Sequence, residues 1–192
     1  MTAQNPNRNR PLFQPASNLR HDANATEHHA LIDKQSYRTA MARVGAAVHV
    51  VTTDGPAGRR GFTASAVCSV TDDPPTLLLC LNRSSESNET LRTNGVLCVN
   101  TLAAGQRHLS PIFAGMTDHD VDGRFASATW TTLETGSPVL QEAVVSFDCR
   151  IVQVTEVGTH GVFFCEVQAI LPGTGREGLI YFERDYHPVR VG

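Results

Sequence analysis

Apolar residues recur at every second position along several parts of this chain, which is the period of β-strands. In the clearest case Val145, Phe147 and Cys149 share one face, with Ser146 and Asp148 on the other. Similar runs predict strands over residues 46–53, 60–70, 76–81, 96–102, 144–154, 161–171 and 178–182. The pattern therefore indicates a mainly β protein.

A helical pattern occurs in only three segments, residues 33–43, 84–94 and 106–114. Asp33 is placed to cap the first helix, while Gly45 and Gly95 are placed to end the first and second. Residues 115–138 are predicted to be mostly loop. Because helices do not alternate regularly with strands, a doubly wound sheet is disfavoured and a closed barrel is favoured.

Composition and charge exclude several classes of partner. The 192 residues carry a formal net charge of -3, so there is no basic excess of the kind that nucleic-acid binding requires. No apolar run approaches the ~20 residues that cross a bilayer, and the N-terminal region lacks the apolar segment of a secretory signal. Residues 1–32 are predicted to be a flexible tail before one domain over residues 33–192.

The five cysteines predict a reducing compartment. Cys68, Cys80, Cys98, Cys149 and Cys165 are odd in number and lack metal-site spacing. Each lies in an apolar, strand-like run, where a free thiol behaves as a small hydrophobic group. We therefore expect a cytoplasmic protein with reduced thiols and no metal site.

Two motifs match known patterns only in their letters. Residues 173–178 read GxGxxG, but a strand pattern follows where a dinucleotide site needs a helix, so these glycines are predicted to form a hairpin loop. Residues 118–123 resemble the start of a calcium loop, but its twelfth position is Thr129 instead of a glutamate. We interpret this second segment as a solvated acidic loop.

The segment from Gly61 to Asn82 carries the most informative chemistry. It predicts two strands joined by a proline-closed turn, with small side chains that let a flat ligand approach the backbone. These small residues are Thr63, Ala64, Ser65, Cys68 and Ser69.

An ordered set of motifs then resembles the flavin reductase component of two-component monooxygenases. The set begins with GFTASAVCSVTDDPPTLLLCLN, followed by Ser85-x-Ser87-x-x-x-Leu91, Val99-Asn100, LSPIFAG, Arg124-Phe125, Gly158-x-His160 and Tyr186-His187. It covers approximately residues 36–187. GAAVHVVTTDGPAGRRGFTASAVCSV and VSFDCRIVQVTEVGTH are most similar to the branch of the family that serves pyrimidine-ring cleavage.

The resemblance implies a fold and a reaction. The expected fold is a split β-barrel of Greek-key type with a few short helices, usually a homodimer with flavin near the subunit interface. The implied reaction is direct hydride transfer from NADH or NADPH to FMN, with FAD as a possible substrate. Reduced flavin is then released to a partner monooxygenase, which in the pyrimidine branch cleaves a pyrimidine ring.

The resemblance also assigns flavin-binding residues. The isoalloxazine is expected against the small residues between Thr63 and Ser69, and the ribityl chain beside Cys80, Leu81 and Asn82. A helix N-terminus and an arginine fork both favour phosphate, so its expected ligands are Arg83, Ser85 and Ser87. Further flavin contacts are expected from Asn100, Phe113 and Ala114. The alternatives are helix capping for the two serines, a turn contact for Asn100 and a core position for Phe113.

His160 is the expected catalytic residue. The resemblance places it on the nicotinamide side, where it would hold the carboxamide or the charge of the reduced flavin. Tyr186 and His187 are expected to line the same nicotinamide pocket. Many relatives carry aspartate before this histidine, whereas this chain has Thr159.

Three rival functions stay open at this level. The first is a flavin- or haem-binding split-barrel protein without turnover, and the second is a reductase that uses FAD for an aromatic or natural-product monooxygenase. The third is an oxidase of the pyridoxamine-phosphate type, which usually needs several basic residues around a phosphate. The only lysine is Lys34, at the edge of the predicted tail, and this disfavours the third.

Overall fold

The computed structural model describes residues 32–175 and 177–190. The predicted tail lies outside the described residues apart from Ile32. The helices are α1 (Lys34–Met41), α2 (Glu86–Asn94), α3 (Leu109–Phe113) and α4 (Val121–Ala126), with a 3-10 turn at Ala104–Gln106. The strands are β1 (Ala46–Ala47), β2 (His49–Thr53), β3 (Arg60–Ala64), β4 (Val67–Asp72), β5 (Pro75–Asn82), β6 (Val96–Thr101), β7 (Trp130–Thr132), β8 (Pro138–Leu140), β9 (Val145–Val157), β10 (His160–Pro172), β11 (Glu177–Phe182) and β12 (Asp185–Arg190). The mainly β prediction is confirmed.

The main sheet has seven antiparallel strands in the order β3-β2-β6-β9-β10-β5-β4. Its two edge strands, β3 and β4, are joined by only Ser65 and Ala66, a connection that spans at most about 11 Å. In a flat sheet those edges would be about 29 Å apart. The sheet is therefore curled until its edges approach each other, as in a split barrel, while β3 and β4 do not pair with each other.

Two smaller sheets complete the described fold. Strands β1, β11 and β12 form one, and β7 pairs with β8 in the other. One apolar core lies inside the curled sheet and includes Leu79, Leu97 and Phe163. A second core, which includes Val50, Phe113 and Leu179, lies between the main sheet, α3 and the three-stranded sheet. Within the described residues, no helix has the length and apolar character needed to cross a membrane.

The helix ends follow the sequence in two cases out of three. Asp33 caps α1 by accepting hydrogen bonds from the amides of Gln35 and Ser36. Gly95 ends α2 in the left-handed conformation, with φ 68°. The prediction for Gly45 is wrong, because α1 ends earlier, at a cap on Ala42 that keeps right-handed helical angles.

Several predicted strand and loop assignments also need correction. Residues 60–70 are not one strand, because the chain leaves one sheet edge at Ala64 and joins the other at Val67. Residues 115–138 are mostly loop, as predicted, but they also contain α4, which Asp120 caps, and β7. Residues 173–178 do not close a hairpin, because the strand before them pairs in the main sheet and the strand after them in the small sheet.

Candidate functional site

An open cleft of about 230 Å³ lies between the end of β3, the C-terminal part of α3 and the three-stranded sheet. Its lining residues are Val48, Thr63, Ala64, Ser65, Ser110, Ala114, Met116, Tyr181 and Tyr186. The sequence predicted Thr63, Ala64, Ser65, Ala114 and Tyr186 as site residues, and the structure brings them together here. It missed Val48, Ser110, Met116 and Tyr181, although Ser110 and Tyr181 lie within or near motifs used for the resemblance.

Hydroxyl groups connect the walls of this cleft. Thr63 Oγ1 donates to the Ser110 carbonyl at 2.6 Å, and Ser110 Oγ lies 2.8 Å from the phenolic oxygen of Tyr186. The ring of Tyr186 packs against that of Tyr181, with centroids 5.2 Å apart. The guanidinium of Arg107 lies over the ring of Tyr186, 5.0 Å from its centroid. Tyr186 is thus held by contacts from several elements, which is the preorganisation that a binding site needs.

Arg107 is itself anchored. Its guanidinium donates to Asp185 at 3.0 Å, one residue before the tyrosine. The backbone amide of Tyr186 donates to the same carboxylate, and this hydrogen bond lowers the pKa of Asp185, with a further contribution from the charge of Arg107. The carboxylate is therefore ionised and holds Arg107 beside the cleft.

The loop between β5 and α2 provides a candidate phosphate site. Asn82 Oδ1 accepts hydrogen bonds from the amide and hydroxyl of Ser84, each at 3.0 Å, and so shapes the turn. Ser85 is the N-cap residue of α2, yet its side chain makes no capping hydrogen bond. The Ser85 hydroxyl and the positive end of α2 are thus both available for an anion. Ser87 is only 8% exposed, which makes it a weaker candidate than Ser85.

His160 begins β10 directly opposite Asn82 on β5. It is exposed, and its Nδ1 lies 2.9 Å from Thr159 Oγ1. Thr159, the residue before the histidine, therefore contacts the imidazole ring. The Arg83 side chain is already hydrogen-bonded within the protein, since its guanidinium donates to Glu156 at 2.6 Å and to the Gly158 carbonyl at 2.8 Å. Its predicted role at phosphate stays a prediction.

Sheet register places these features at one end of the fold. The amide of Cys80 donates to the Ala66 carbonyl at 2.9 Å. The corner between β3 and β4, formed by Ser65 and Ala66, therefore lies beside the end of β5. Two residues further along β5, Asn82 pairs with His160. Strand spacing and rise then put the corner and the histidine within about 15 Å of each other. A single extended ligand can therefore contact both.

The structure contradicts the predicted flavin contact from Asn100. This residue is 0% exposed. Its amide nitrogen donates to the Val50 carbonyl at 3.0 Å, and its oxygen accepts from the Leu140 amide at 2.8 Å and from Ser146 Oγ at 2.9 Å. Asn100 therefore joins β2, β6, β8 and β9 inside the protein. Sequence alternation placed Ser146 on the face opposite Val145, Phe147 and Cys149, but it could not show that this face is also buried.

Phe113 is also withdrawn from the cleft. It is 1% exposed and packs edge-on against Phe125 and Trp130. Its ring lies so close to Gly61 that a Cβ there would come within 2.7 Å of it. Phe113 is a core residue, and glycine at position 61 makes room for it. Leu81 likewise packs towards the core inside the curled sheet.

His187 does not line the cleft with Tyr186. Successive residues of a strand point to opposite faces, and the His187 side chain contacts the Phe182 carbonyl at 3.2 Å. The expectation that both residues form one nicotinamide pocket is therefore wrong for His187. Ser69 and Cys68 lie on the exposed edge strand β4, outside the residues that line the cleft.

Burial lowers the reactivity of four of the five cysteines, while Cys68 is exposed. It raises the pKa of Cys165 to about 12 and also raises those of Cys98 and Cys149 well above the usual range. The pKa of Cys80 is raised by partial burial and by the nearby Cys68. Because the thiolate is the reactive form, these residues act as small packing groups. Burial disfavours the charged form of His49 as well: it lowers the pKa of the imidazole to about 4 and keeps the ring neutral near pH 7.

Comparison with known proteins identifies the family. Residues 41–190 match the flavin reductase like domain. The chain belongs to this family. It is 62% identical over 158 residues to a protein of Ancylobacter novellus named "FMN reductase (NADH) RutF", a match that covers 82% of this chain and 86% of the relative.

Solved structures of flavin reductases share the fold. A putative flavin reductase from Haemophilus somnus superposes with a TM-score of 0.79 at 47% identity, covering 82% of this chain and all of that one. Nitrilotriacetate monooxygenase component B from Mycobacterium thermoresistibile superposes with a TM-score of 0.75 at 25% identity, covering 83% and 88%. These neighbours agree with the split-barrel architecture.

The residues of this flavin reductase fit a flavin. The cleft offers small side chains at Ala64 and Ser65, where a planar ring can lie against the backbone. The N-terminus of α2 offers a hydroxyl without a capping role and a positive helix end for a terminal phosphate. At about 230 Å³ the cleft is smaller than typical ligand pockets of ~300–1,000 Å³.

Proposed function

We propose that this protein is an NADH-dependent FMN reductase. The observation that carries the proposal is its identity of 55–62% to relatives named "FMN reductase (NADH) RutF", over more than 80% of each chain. The cleft and the nearby helix N-terminus provide the two kinds of surface that a flavin mononucleotide needs. The family match over residues 41–190 spans all the residues that line the cleft.

The chemistry is supplied by the substrates, with hydride passing from the nicotinamide to the flavin ring. The protein contributes binding and orientation, which are the main requirements of such a transfer. Thr63, Ala64 and Ser65 bind one edge of the flavin ring in this proposal. Ser85 and the α2 amides bind the phosphate, and Arg83 contributes positive charge beside it.

His160 and Tyr186 are assigned to the hydride-donor side. Tyr186 presents a phenol that Ser110, Tyr181 and Arg107 hold in place. His160 is exposed. In this proposal its ring orients the carboxamide by donating or accepting a hydrogen bond, and this role requires no proton transfer. These roles are supported by the positions of the two residues at the same end of the fold.

The reduced flavin is proposed to serve a separate monooxygenase. The open cleft permits release of the product, and one structural neighbour is named as a component of a monooxygenase. Similarity to the pyrimidine branch of the family supports a pyrimidine-cleaving oxygenase as that partner. Five free cysteines support a cytoplasmic location for the exchange. The reductase domain is proposed to extend over residues 33–192.

A homodimer is proposed on the basis of an apolar face outside the curled sheet. Phe164 of β10 pairs with Leu78 of β5, and Val162 pairs with Cys80. The alternate residues of the same strands, including Leu79 and Phe163, fill the core. Strands with apolar residues on both faces are normally covered on both. A second copy on this outer face would also enlarge the wall around the small cleft.

Turnover by the purified protein tests the main proposal. NADH and FMN are mixed with the protein in air, and NADH loss is followed at the nicotinamide absorbance band. We expect faster loss with NADH and FMN than with NADPH or riboflavin. The same mixture without protein gives the background rate. Absence of NADH or NADPH oxidation with FMN, FAD and riboflavin would exclude a reductase and leave a non-catalytic flavin-binding protein.

A further inference from the structure

A hydrogen-bond network outside the cleft is centred on Glu156. Its Oε2 accepts from Arg83 at 2.6 Å, and its Oε1 accepts from Arg92 at 3.3 Å. Arg83 belongs to the loop before α2, Arg92 to the last turn of α2, and Glu156 to the end of β9. One carboxylate therefore holds both ends of the proposed phosphate-binding helix region against the hairpin between β9 and β10.

The network continues from Glu156 to the proposed phosphate site. Arg92 Nε donates to Asn88 Oδ1 at 2.9 Å. Asn88 is 4% exposed, and its amide nitrogen lies 3.3 Å from the Leu81 carbonyl, which fixes α2 on the end of β5. Glycine at position 161 permits this approach, because a Cβ there would lie 3.2 Å from Asn88 Nδ2 and 3.3 Å from the Arg92 guanidinium.

The network also continues to His160. Arg83 donates through its guanidinium to the Gly158 carbonyl at 2.8 Å and through its amide to the Thr159 carbonyl at 2.9 Å. Thr159 Oγ1 then contacts His160 Nδ1 at 2.9 Å. The hairpin tip that carries the histidine is therefore held by the same arginine that Glu156 binds.

We infer that Glu156 is a positioning residue that links the phosphate-binding end of the site to His160. This inference rests on the proposed function. The Glu156 carboxylate fixes Arg83 between the helix loop and the hairpin tip, and so sets the distance between bound flavin phosphate and imidazole. Loss of the carboxylate frees Arg83 and Arg92 while it leaves every cleft-lining residue in place.

The number of contacts distinguishes this network from an ordinary surface ion pair. Isolated exposed pairs contribute little, and Glu156 has a half-exposed side chain. Here one carboxylate bridges two arginines, and each arginine makes a second hydrogen bond to the protein. Residues in one such network show coupled effects on mutation. A comparison of single and double variants can detect this coupling.

The test compares Glu156→Gln, His160→Ala and the double variant. We expect Glu156→Gln to lower kcat with FMN about fivefold to tenfold, with a smaller change in KM for NADH. In the His160→Ala background the same substitution should lower kcat less than twofold, because its effect acts through the histidine. In Glu156→Gln, the preference for FMN over riboflavin should fall together with kcat. Equal effects of Glu156→Gln in both backgrounds would overturn the inference.

A second measurement does not depend on turnover. Hydrogen exchange of the ligand-free protein should show faster exchange for residues 157–161 in Glu156→Gln than in the unaltered protein. Glu177→Gln, which removes an exposed pair with Arg190 on another sheet, is the matched control and should leave that segment unchanged. Unchanged exchange in Glu156→Gln would contradict the positioning role. Inactivity of the unaltered protein would instead contradict the proposed reductase function.

Discussion

The side-chain oxygens of Ser110 and Tyr186 lie 2.8 Å apart and join α3 to β12 across the cleft. Ser110 is 0% exposed, so its hydroxyl has little access to water as a replacement partner. The contact therefore fixes the phenol at the edge of the proposed site. It also depends on residues that are far apart in the chain.

Tyr186→Phe should test the value of this contact. We expect a loss of about 1 kcal/mol in the free energy of unfolding, because the buried serine hydroxyl loses its partner. We also expect kcat/KM for NADH to fall about threefold to tenfold. Urea unfolding and steady-state kinetics provide the two measurements. Ser110→Ala is the matched variant, and a normal kcat/KM in both would remove the pair from substrate binding.

His160→Ala should slow turnover more than it weakens flavin binding. A misoriented nicotinamide is expected to lower kcat about 10- to 100-fold, while the FMN dissociation constant changes little. Stopped-flow kinetics and fluorescence titration with FMN separate these effects. His187→Ala is a suitable control because that side chain contacts the Phe182 carbonyl outside the cleft. An unchanged rate in His160→Ala would exclude this histidine from the mechanism.

Ser85→Ala should weaken FMN more than riboflavin. The hydroxyl has no capping hydrogen bond to lose, so its removal should leave α2 folded. Loss of one hydrogen bond to a charged phosphate predicts a roughly tenfold higher FMN dissociation constant. Ser87→Ala should have a smaller effect because Ser87 is largely buried. Equal weakening of FMN and riboflavin would contradict a phosphate role for Ser85.

Stability should fall in acid because of His49. The pKa of this buried histidine is about 4, against about 6.5 in the unfolded chain. Between these values the unfolded chain binds a proton that the folded protein does not, so stability decreases as the pH falls from 6.5 towards 4. The predicted loss is about 3 kcal/mol.

Urea unfolding at pH 7.0 and at several lower pH values checks this prediction. His49→Gln should show a smaller decrease over the same pH range, whatever its stability at neutral pH. His108→Gln, at an exposed position, is the control and should keep the slope of the unaltered protein. An identical slope in His49→Gln would show that other groups cause the acid sensitivity.

Phe164→Glu should disrupt the proposed dimer. The added charge would lie on the outer sheet face beside Leu78, where burial of an unpaired carboxylate is costly. We expect sedimentation to show a monomer and FMN binding to weaken. Gln168→Glu, on the same strand, adds the same charge at an exposed position and should preserve the oligomer. A monomeric unaltered protein would contradict the dimer proposal directly.

The sequence predicted those features well that depend on a few neighbouring residues. Alternation located the long strands β9 and β10, and the side chain of Asp33 specified the start of α1. Small residues at the end of β3 indicated a ligand-binding surface, and Thr63, Ala64 and Ser65 do line the cleft. These features depend on backbone geometry and on side-chain size within a few neighbouring residues.

Only the tertiary structure decided which predicted residues meet. Asn100 and Tyr186 were both polar candidates beside apolar runs, yet Asn100 is buried among four strands and Tyr186 lines the cleft. Alternation shows that two faces exist, but it does not show which face another element covers. The curling of the seven-stranded sheet brings β3 close to β4, and long-range packing alone determines that approach. The sequence thus determined the strands, the helix starts and the family motifs, while the curling of the sheet decided how the site is assembled.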